Sequence, residues 1–107
     1  LMIVEGHTDN VPIRTKKYRN NWELSTSRAT NIATMLIKKL DYDPKSLSVN
    51  GFAETRPKIS YRDSSGNPKK GQELQNVRKV NRRVEIILTT PAESRADSNL
   101  LFDGLEK

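Results

Sequence analysis

The feature that most restricts the fold is an amphipathic segment from about Asn20 to Leu40, set between two short apolar runs. Trp22, Ala29, Ile32, Ala33, Leu36, Ile37 and Leu40 recur at three- and four-residue steps, which places them on one face of a helix. Ser25, or an asparagine just before Trp22, is available to cap the first turn. Lys38 and Lys39 suit the negative C-terminal end, and Pro44 closes the segment. Residues 1–4 are apolar and partly β-branched, and residues 47–52 alternate, so both read as strands. A strand–helix–strand unit closes with a right-handed crossover and parallel strands. Residues 84–88, where Val84, Ile86 and Leu88 alternate with Glu85 and Ile87, add a third strand. The expected class is α+β, a two-layer α/β sandwich with one sheet face covered. One helix covers only part of three strands, so an upstream element or a partner chain is expected to complete the layer.

The connections carry turn chemistry. Residues 6–12 hold Gly6, which can take φ > 0, then Thr8, Asp9 and Asn10, with Pro12 blocking regular continuation. Residues 14–19 are a basic loop, and 53–57 form an exit turn. Residues 59–72, with Gly66, Pro68 and Gly71, read as a long exposed loop, followed by a short helical turn over 73–79. The 107 residues make one domain, placed at 1–90, with a tail over 91–107 in which Leu100, Leu101, Phe102 and Leu105 could form one amphipathic turn. No run reaches the roughly 18 apolar residues of a membrane span, and the absence of cysteine excludes disulfides and thiolate metal sites. The net charge is +6, and the body before Pro91, with 17 basic and 9 acidic residues, is more basic still. An anionic partner follows from this, whether nucleic acid, a lipid surface or a carboxylate-bearing polymer.

Three groups of side chains offer chemistry. Asp9, after the first strand, and Arg28, on an early turn of the helix, could together grip a zwitterion. The acid would hold an ammonium, and the guanidinium would hold a carboxylate through two parallel hydrogen bonds. The plainer alternatives are a salt bridge between the two, or two unrelated surface charges. His7 is the sole histidine; carboxylates alone beside it make a poor transition-metal set, so it is expected to pack or hydrogen-bond within its turn. Ser25, Ser27 and Asp9 lie near His7 in sequence, but there is no Gly-x-Ser-x-Gly elbow. Arg78, Lys79, Arg82 and Arg83 form the densest basic run, at a sheet end that could face the Asp9 turn. Its bland reading is a solvated cluster, and its sharper ones are a phosphate track or an arginine for a ligand carboxylate. The aromatics do not interleave with it, which weakens a nucleic-acid role. Trp22 is expected in the core. No phosphate loop, dinucleotide fingerprint or metal-binding motif is present, so neither an enzyme nor a cofactor is indicated.

The motifs also resemble a known family. Gly6-His7-Thr8-Asp9, then Asn21-Trp22-Glu23-Leu24-Ser25 with Arg28-Ala29, then Asn81-Arg82-Arg83-Val84-Glu85 resemble the OmpA-like peptidoglycan-binding domain over about residues 2–90. The segment from Gly51 through Glu54 to Pro57 resembles the family's Gly-Tyr-Gly-Glu-x-x-Pro, with Ala53 in place of a common glycine. Asn10-Val11-Pro12-Ile13 is most similar to the flagellar stator (MotB) branch. The resemblance implies non-covalent binding of peptidoglycan: Asp9 on the amino group of a diaminopimelate in the stem peptide and Arg28 on its carboxylate. Asn21, Leu24 and Arg82 would line the same pocket, and Thr8 would shape the turn. It further implies a periplasmic domain of an envelope protein anchored in the inner membrane, a homodimer and a MotA-like stator partner, with no nucleic acid. The family's first strand and helix are absent from the chain, so the pocket is expected to be incomplete or completed from elsewhere. A small nucleic-acid-binding domain using residues 69–83 and a hydrolase working through His7 and Asp9 are the competing classes.

Overall fold

In a computed structural model the described residues are 1–90; the tail over 91–107, with its expected amphipathic turn, lies outside them. The elements in order are β1 (Met2–His7), α1 (Asn21–Leu40), a 3-10 turn (Pro44–Ser46), β2 (Leu47–Gly51), α2 (Gly71–Asn81) and β3 (Arg83–Leu88). The sheet order is β2-β1-β3. β1 runs parallel to β2, with Val4 opposite Val49, and antiparallel to β3, with Val4 opposite Ile86. The α/β layer expected from the pattern is therefore present, with α1 as the parallel crossover.

α1 forms where both ends are chemically closed. The Asn20 side chain accepts the Glu23 N–H at 3.0 Å, and Glu23 in turn accepts the Arg19 N–H at 2.7 Å. At the other end Asp41 takes a left-handed φ of 53°. Its inner face buries Ala29, Ala33 and Leu36 against Val4, with Met2, Ile32, Tyr42, Leu47, Val49 and Val84 packed around them. The helix covers β1 and β2, and of β3 only Val84 packs against the same cluster. On β3, Ile86 and Leu88, which share the helix-side face, are 49% and 72% exposed.

Two expectations are corrected by one contact. Gly6 was expected to supply a positive φ, but it lies inside β1, and the glycines with positive φ are Gly66 and Gly71. Its role is close packing: a Cβ on Gly6 would lie 2.0 Å from the Ser25 carbonyl oxygen, and one on Gly51 would lie 2.7 Å from the Thr26 nitrogen. The first turns of α1 thus rest on the sheet backbone to backbone. That contact leaves no space beneath the helix for an indole, and Trp22, expected in the core, is 50% exposed. The end of β1 is likewise longer than the apolar run, because main-chain pairing with β3 continues through His7 opposite Arg83.

α2 spans Gly71–Asn81, two residues longer at each end than the helical turn expected over 73–79. Gly71, with φ of 58°, brings the chain into it, and Val77 and Asn81 are its buried residues. The preceding loop is self-ordered: the Asp63 carboxylate accepts the N–H groups of Ser65 and Asn67, and Arg62 bridges to Pro68. Fully buried Asn81 ties this loop down, accepting from Lys58 and Ile59 N–H and donating to the Ile59 carbonyl.

Because the obstacle at Gly6 is backbone rather than a flexible side chain, Gly6→Ala is expected to force α1 off the sheet. The cost is about 3 kcal/mol, the upper end for overpacking, read as a fall in the urea midpoint with little change in slope.

Candidate functional site

Every group expected at the site meets in one depression. Thr8, Asp9, Asn21, Leu24, Arg28 and Arg82 line a single cavity of about 220 Å³, with Val11, Pro12 and Ile13 as its apolar lip. Asn21, Leu24 and Arg28 come from one stripe of α1, three and four residues apart. Thr8 and Asp9 extend from the end of β1, and Arg82 caps the C-terminus of α2, its N–H bonded to the Arg78 carbonyl at 3.0 Å.

Asp9 is fixed on both oxygens. Oδ1 accepts the Val11 N–H at 2.9 Å, and Oδ2 accepts Arg82 Nη1 at 2.8 Å. The neighbouring Asn10 side chain accepts Arg78 Nε at 3.0 Å, so two arginines one helical turn apart hold the Asp9–Asn10 corner. Thr8, buried, donates its hydroxyl to the Asp9 carbonyl at 2.9 Å and its N–H to the Ala53 carbonyl at 2.9 Å. Asn21 donates to the Val11 carbonyl at 3.1 Å and to Glu54 at 3.2 Å, which seats the lip against α1.

Arg28 differs. Among the described residues it has no ion pair and no hydrogen bond from its side chain, although it shares the cavity with Asp9. The salt bridge weighed for Asp9 and Arg28 is therefore absent; the partner of Asp9 is Arg82. A carboxylate offers about four lone-pair sites, so Asp9, with two used, can still accept from a ligand ammonium. The Arg28 fork is free to take a carboxylate. Arg82, 42% exposed, keeps donors for a second oxygen. The cavity holds an acid and two guanidiniums, an arrangement suited to a small zwitterionic head with surplus negative charge.

Of the other basic residues in the 78–83 run, Arg78 is engaged with Asn10 and Arg83 with Glu85 at 2.7 Å, and Lys79 alone is exposed without such a partner among the described residues. This counts against a continuous phosphate track. Three contributors escaped sequence reasoning: Glu54, Arg78 and the lip at residues 11–13. Glu54 lay within a noted motif and Arg78 within the noted basic run, but nothing in their spacing showed which loop they would meet.

His7, expected to pack or hydrogen-bond in a turn, lies on the sheet face away from α1. It is 2% exposed, stacked on Phe52 at 5.3 Å, with the Arg56 guanidinium 3.9 Å above that ring. Register places Glu5 directly opposite Glu85, an unfavourable pair, and Arg83 relieves it. Donor atoms of Glu5, His7 and Glu85 lie within 4.8 Å of one another, so His7 does have carboxylates beside it. Glu5 approaches to 3.5 Å without hydrogen-bond geometry, and both ring nitrogens are unpartnered.

These features define a small binding domain whose polar pocket sits where a strand end, a helix start and a second helix end converge. The chain belongs to the OmpA family, matching it over residues 2–71. It is 36% identical over 87 residues to Motility protein B of Bacillus subtilis (strain 168), covering 81% of this chain and 29% of that one. It is 32% identical over 100 residues to Motility protein B of Helicobacter pylori (strain J99), covering 94% and 34%. The chain thus spans about a third of the length of the curated relatives it matches. Among solved structures, the periplasmic domain of Helicobacter pylori MotB superposes with a TM-score of 0.66 at 25% identity, covering 99% of this chain and 58% of that one. The cell wall anchor of the T6SS from Pseudomonas aeruginosa superposes with a TM-score of 0.60 at 33% identity, covering 79% and 51%.

Burial holds the His7 imidazole below its ordinary value, and Arg83 adds to this against the pull of Glu5 and Glu85. The unfolded chain then binds the proton more readily, so this contribution is full above about pH 6.5 and is lost as pH falls through the native value. The urea midpoint is expected to drop between about pH 7.5 and about pH 5.5, and to drop less in His7→Gln.

Proposed function

We propose that the domain, placed at residues 1–90, binds peptidoglycan non-covalently through the diaminopimelate of its stem peptide, breaking no bond. The side-chain amino group of that residue is held by Asp9 and its carboxylate by Arg28. Arg82 fixes Asp9 and meets a further oxygen, and Asn21, Leu24 and Thr8 shape the wall. The observation that carries this reading is that Asp9 and Arg28 line one amino-acid-sized cavity without pairing to each other. Were they paired, a ligand would have to break the bridge before binding. The cavity is lined from the end of β1, from α1 and from the end of α2, all of this chain, which supports binding by these residues.

Similarity to two Motility B proteins and to a cell wall anchor supports the wider role. In that role the domain tethers an envelope protein to the wall from the periplasm, in a stator-type parent held in the inner membrane. Such a parent would work as a homodimer with a MotA-like partner. The residues over 91–107 are read as a tail outside the binding domain. Among the described residues no helix is long and apolar enough to cross a membrane.

Co-sedimentation with purified peptidoglycan tests this. The chain is expected in the pellet, and Asp9→Ala or Arg28→Ala is expected to weaken retention by about ten- to a hundredfold, the worth of one charge-assisted contact. Wild-type-like retention of both variants would sink the assignment.

A further inference from the structure

The fold leaves the chain's single tryptophan unexplained. Trp22 is half-exposed on the first turn of α1, and its indole N–H has no hydrogen-bond partner among the described residues. It heads a shallow groove of about 450 Å³ whose other walls are Glu23, Thr26, Ser27, Thr30 and Asn31. On its other side Trp22 borders a second depression, of about 230 Å³, shared with Pro12, Ile13 and Asn21. Those last three residues also line the Asp9–Arg28 cavity. The three depressions therefore form one track that passes over the indole.

We propose that Trp22 and the groove beyond it bind a sugar ring of the glycan strand. This rests on the stem-peptide reading above and extends it. The chemistry of the groove selects the occupant. A flat indole offers its face to the C–H side of a pyranose and its N–H to a ring substituent. On one side of it stand the hydroxyl, amide and carboxylate groups of Glu23, Thr26, Ser27, Thr30 and Asn31, and on the other Pro12 and Ile13, so a pyranose finds polar partners for its hydroxyls and apolar surface for its C–H face. Ser27 shares one hydrogen bond with the Tyr18 hydroxyl and Thr30 donates to the Thr26 carbonyl, and both hydroxyls keep capacity for a ligand.

The spacing agrees. The stripe Asn21, Leu24 and Arg28 faces the peptide cavity, while Trp22, Thr26 and Thr30 form the adjacent stripe of the same helix. The two lie within the helix diameter of about 10–12 Å. A diamino acid at the third stem position is separated from its sugar by two residues and the acid link on the ring, about 10 Å when extended. One muropeptide can therefore place its acid–base head beside Asp9 and its sugar on Trp22.

The test titrates the full chain with a free diaminopimelate-containing stem tripeptide and with the same peptide on its disaccharide, following Trp22 fluorescence and binding heat. The disaccharide-peptide is expected to bind about tenfold more tightly and to perturb the fluorescence, as one aromatic stacking contact would. Trp22→Ala should erase that gain and leave the free-peptide affinity unchanged, while Trp22→Phe retains most of it. Equal affinity for the two ligands, or a gain that survives Trp22→Ala, overturns the sugar subsite. An equal loss for both ligands in Trp22→Ala does the same. A disaccharide gain that depends on Trp22 but survives Asp9→Ala would uphold the subsite and overturn the peptide reading instead.

Discussion

The structure depends on one close contact, where the start of α1 meets the sheet at Gly6 and Gly51 with main chain against main chain. Ser25 is its hinge: fully buried, it donates its hydroxyl to the Trp22 carbonyl and accepts the Ala53 N–H at 3.0 Å. The Ala53 carbonyl then accepts from Thr8, and the Gly6 carbonyl from Phe52. This stitches the end of β1, the exit of β2 and the first turn of α1 into one rigid corner. Ala53 itself is held at a φ of 54°, in the left-handed region that a glycine adopts without strain. Asn21, Leu24 and Arg28 project from that corner beside Asp9, so their spacing is set by backbone rather than by long side chains.

The opposite wall is built differently. Asp9 sits on a loop, and the loop is held by side chains from the far end of α2: Arg82 on Asp9 and Arg78 on Asn10. Both lie in the last turn or at the cap of that helix, where cationic side chains are favoured by its negative end. Asn81, between them and the sheet, ties the long loop before α2 into the same end. One end of α2 thus orders two loops at once. The acid is pre-oriented by a rigid partner, while Arg28 is left without one.

Much of this was legible in the sequence, and for identifiable reasons. The period of Ala29, Ile32, Ala33 and Leu36 reports burial directly, so the helix and its parallel crossover followed. The six residues proposed for the site came from motif resemblance, not from periodicity; spacing alone left the Asp9–Arg28 pair open between a bridge and a site. Trp22 was misread because periodicity registers hydrophobicity and cannot register how closely a helix approaches a sheet. That approach was encoded instead in two glycines, whose message, an absent Cβ, fits a turn as readily as a contact. The Glu5–Glu85–His7–Arg83 cluster was invisible because it exists only in the register between β1 and β3. The reach of α2 was underestimated because Gly71 looks like a loop residue until its positive φ is seen to start the helix.

On the proposed reading, the charge distribution lets a basic chain prefer an amphoteric ligand over a simple anion. Seventeen cationic residues before Pro91 draw anionic polymers toward the whole surface. At the pocket that attraction is interrupted, because Asp9 is only 13% exposed and its charge is shielded by little water. A bare phosphate reaching for Arg28 must approach this carboxylate and is opposed by it. A bare amine reaching for Asp9 meets Arg82 and Arg28. Only a group bearing both signs at short separation satisfies the acid and the unpaired guanidinium together, so the long-range field recruits and the local pair selects.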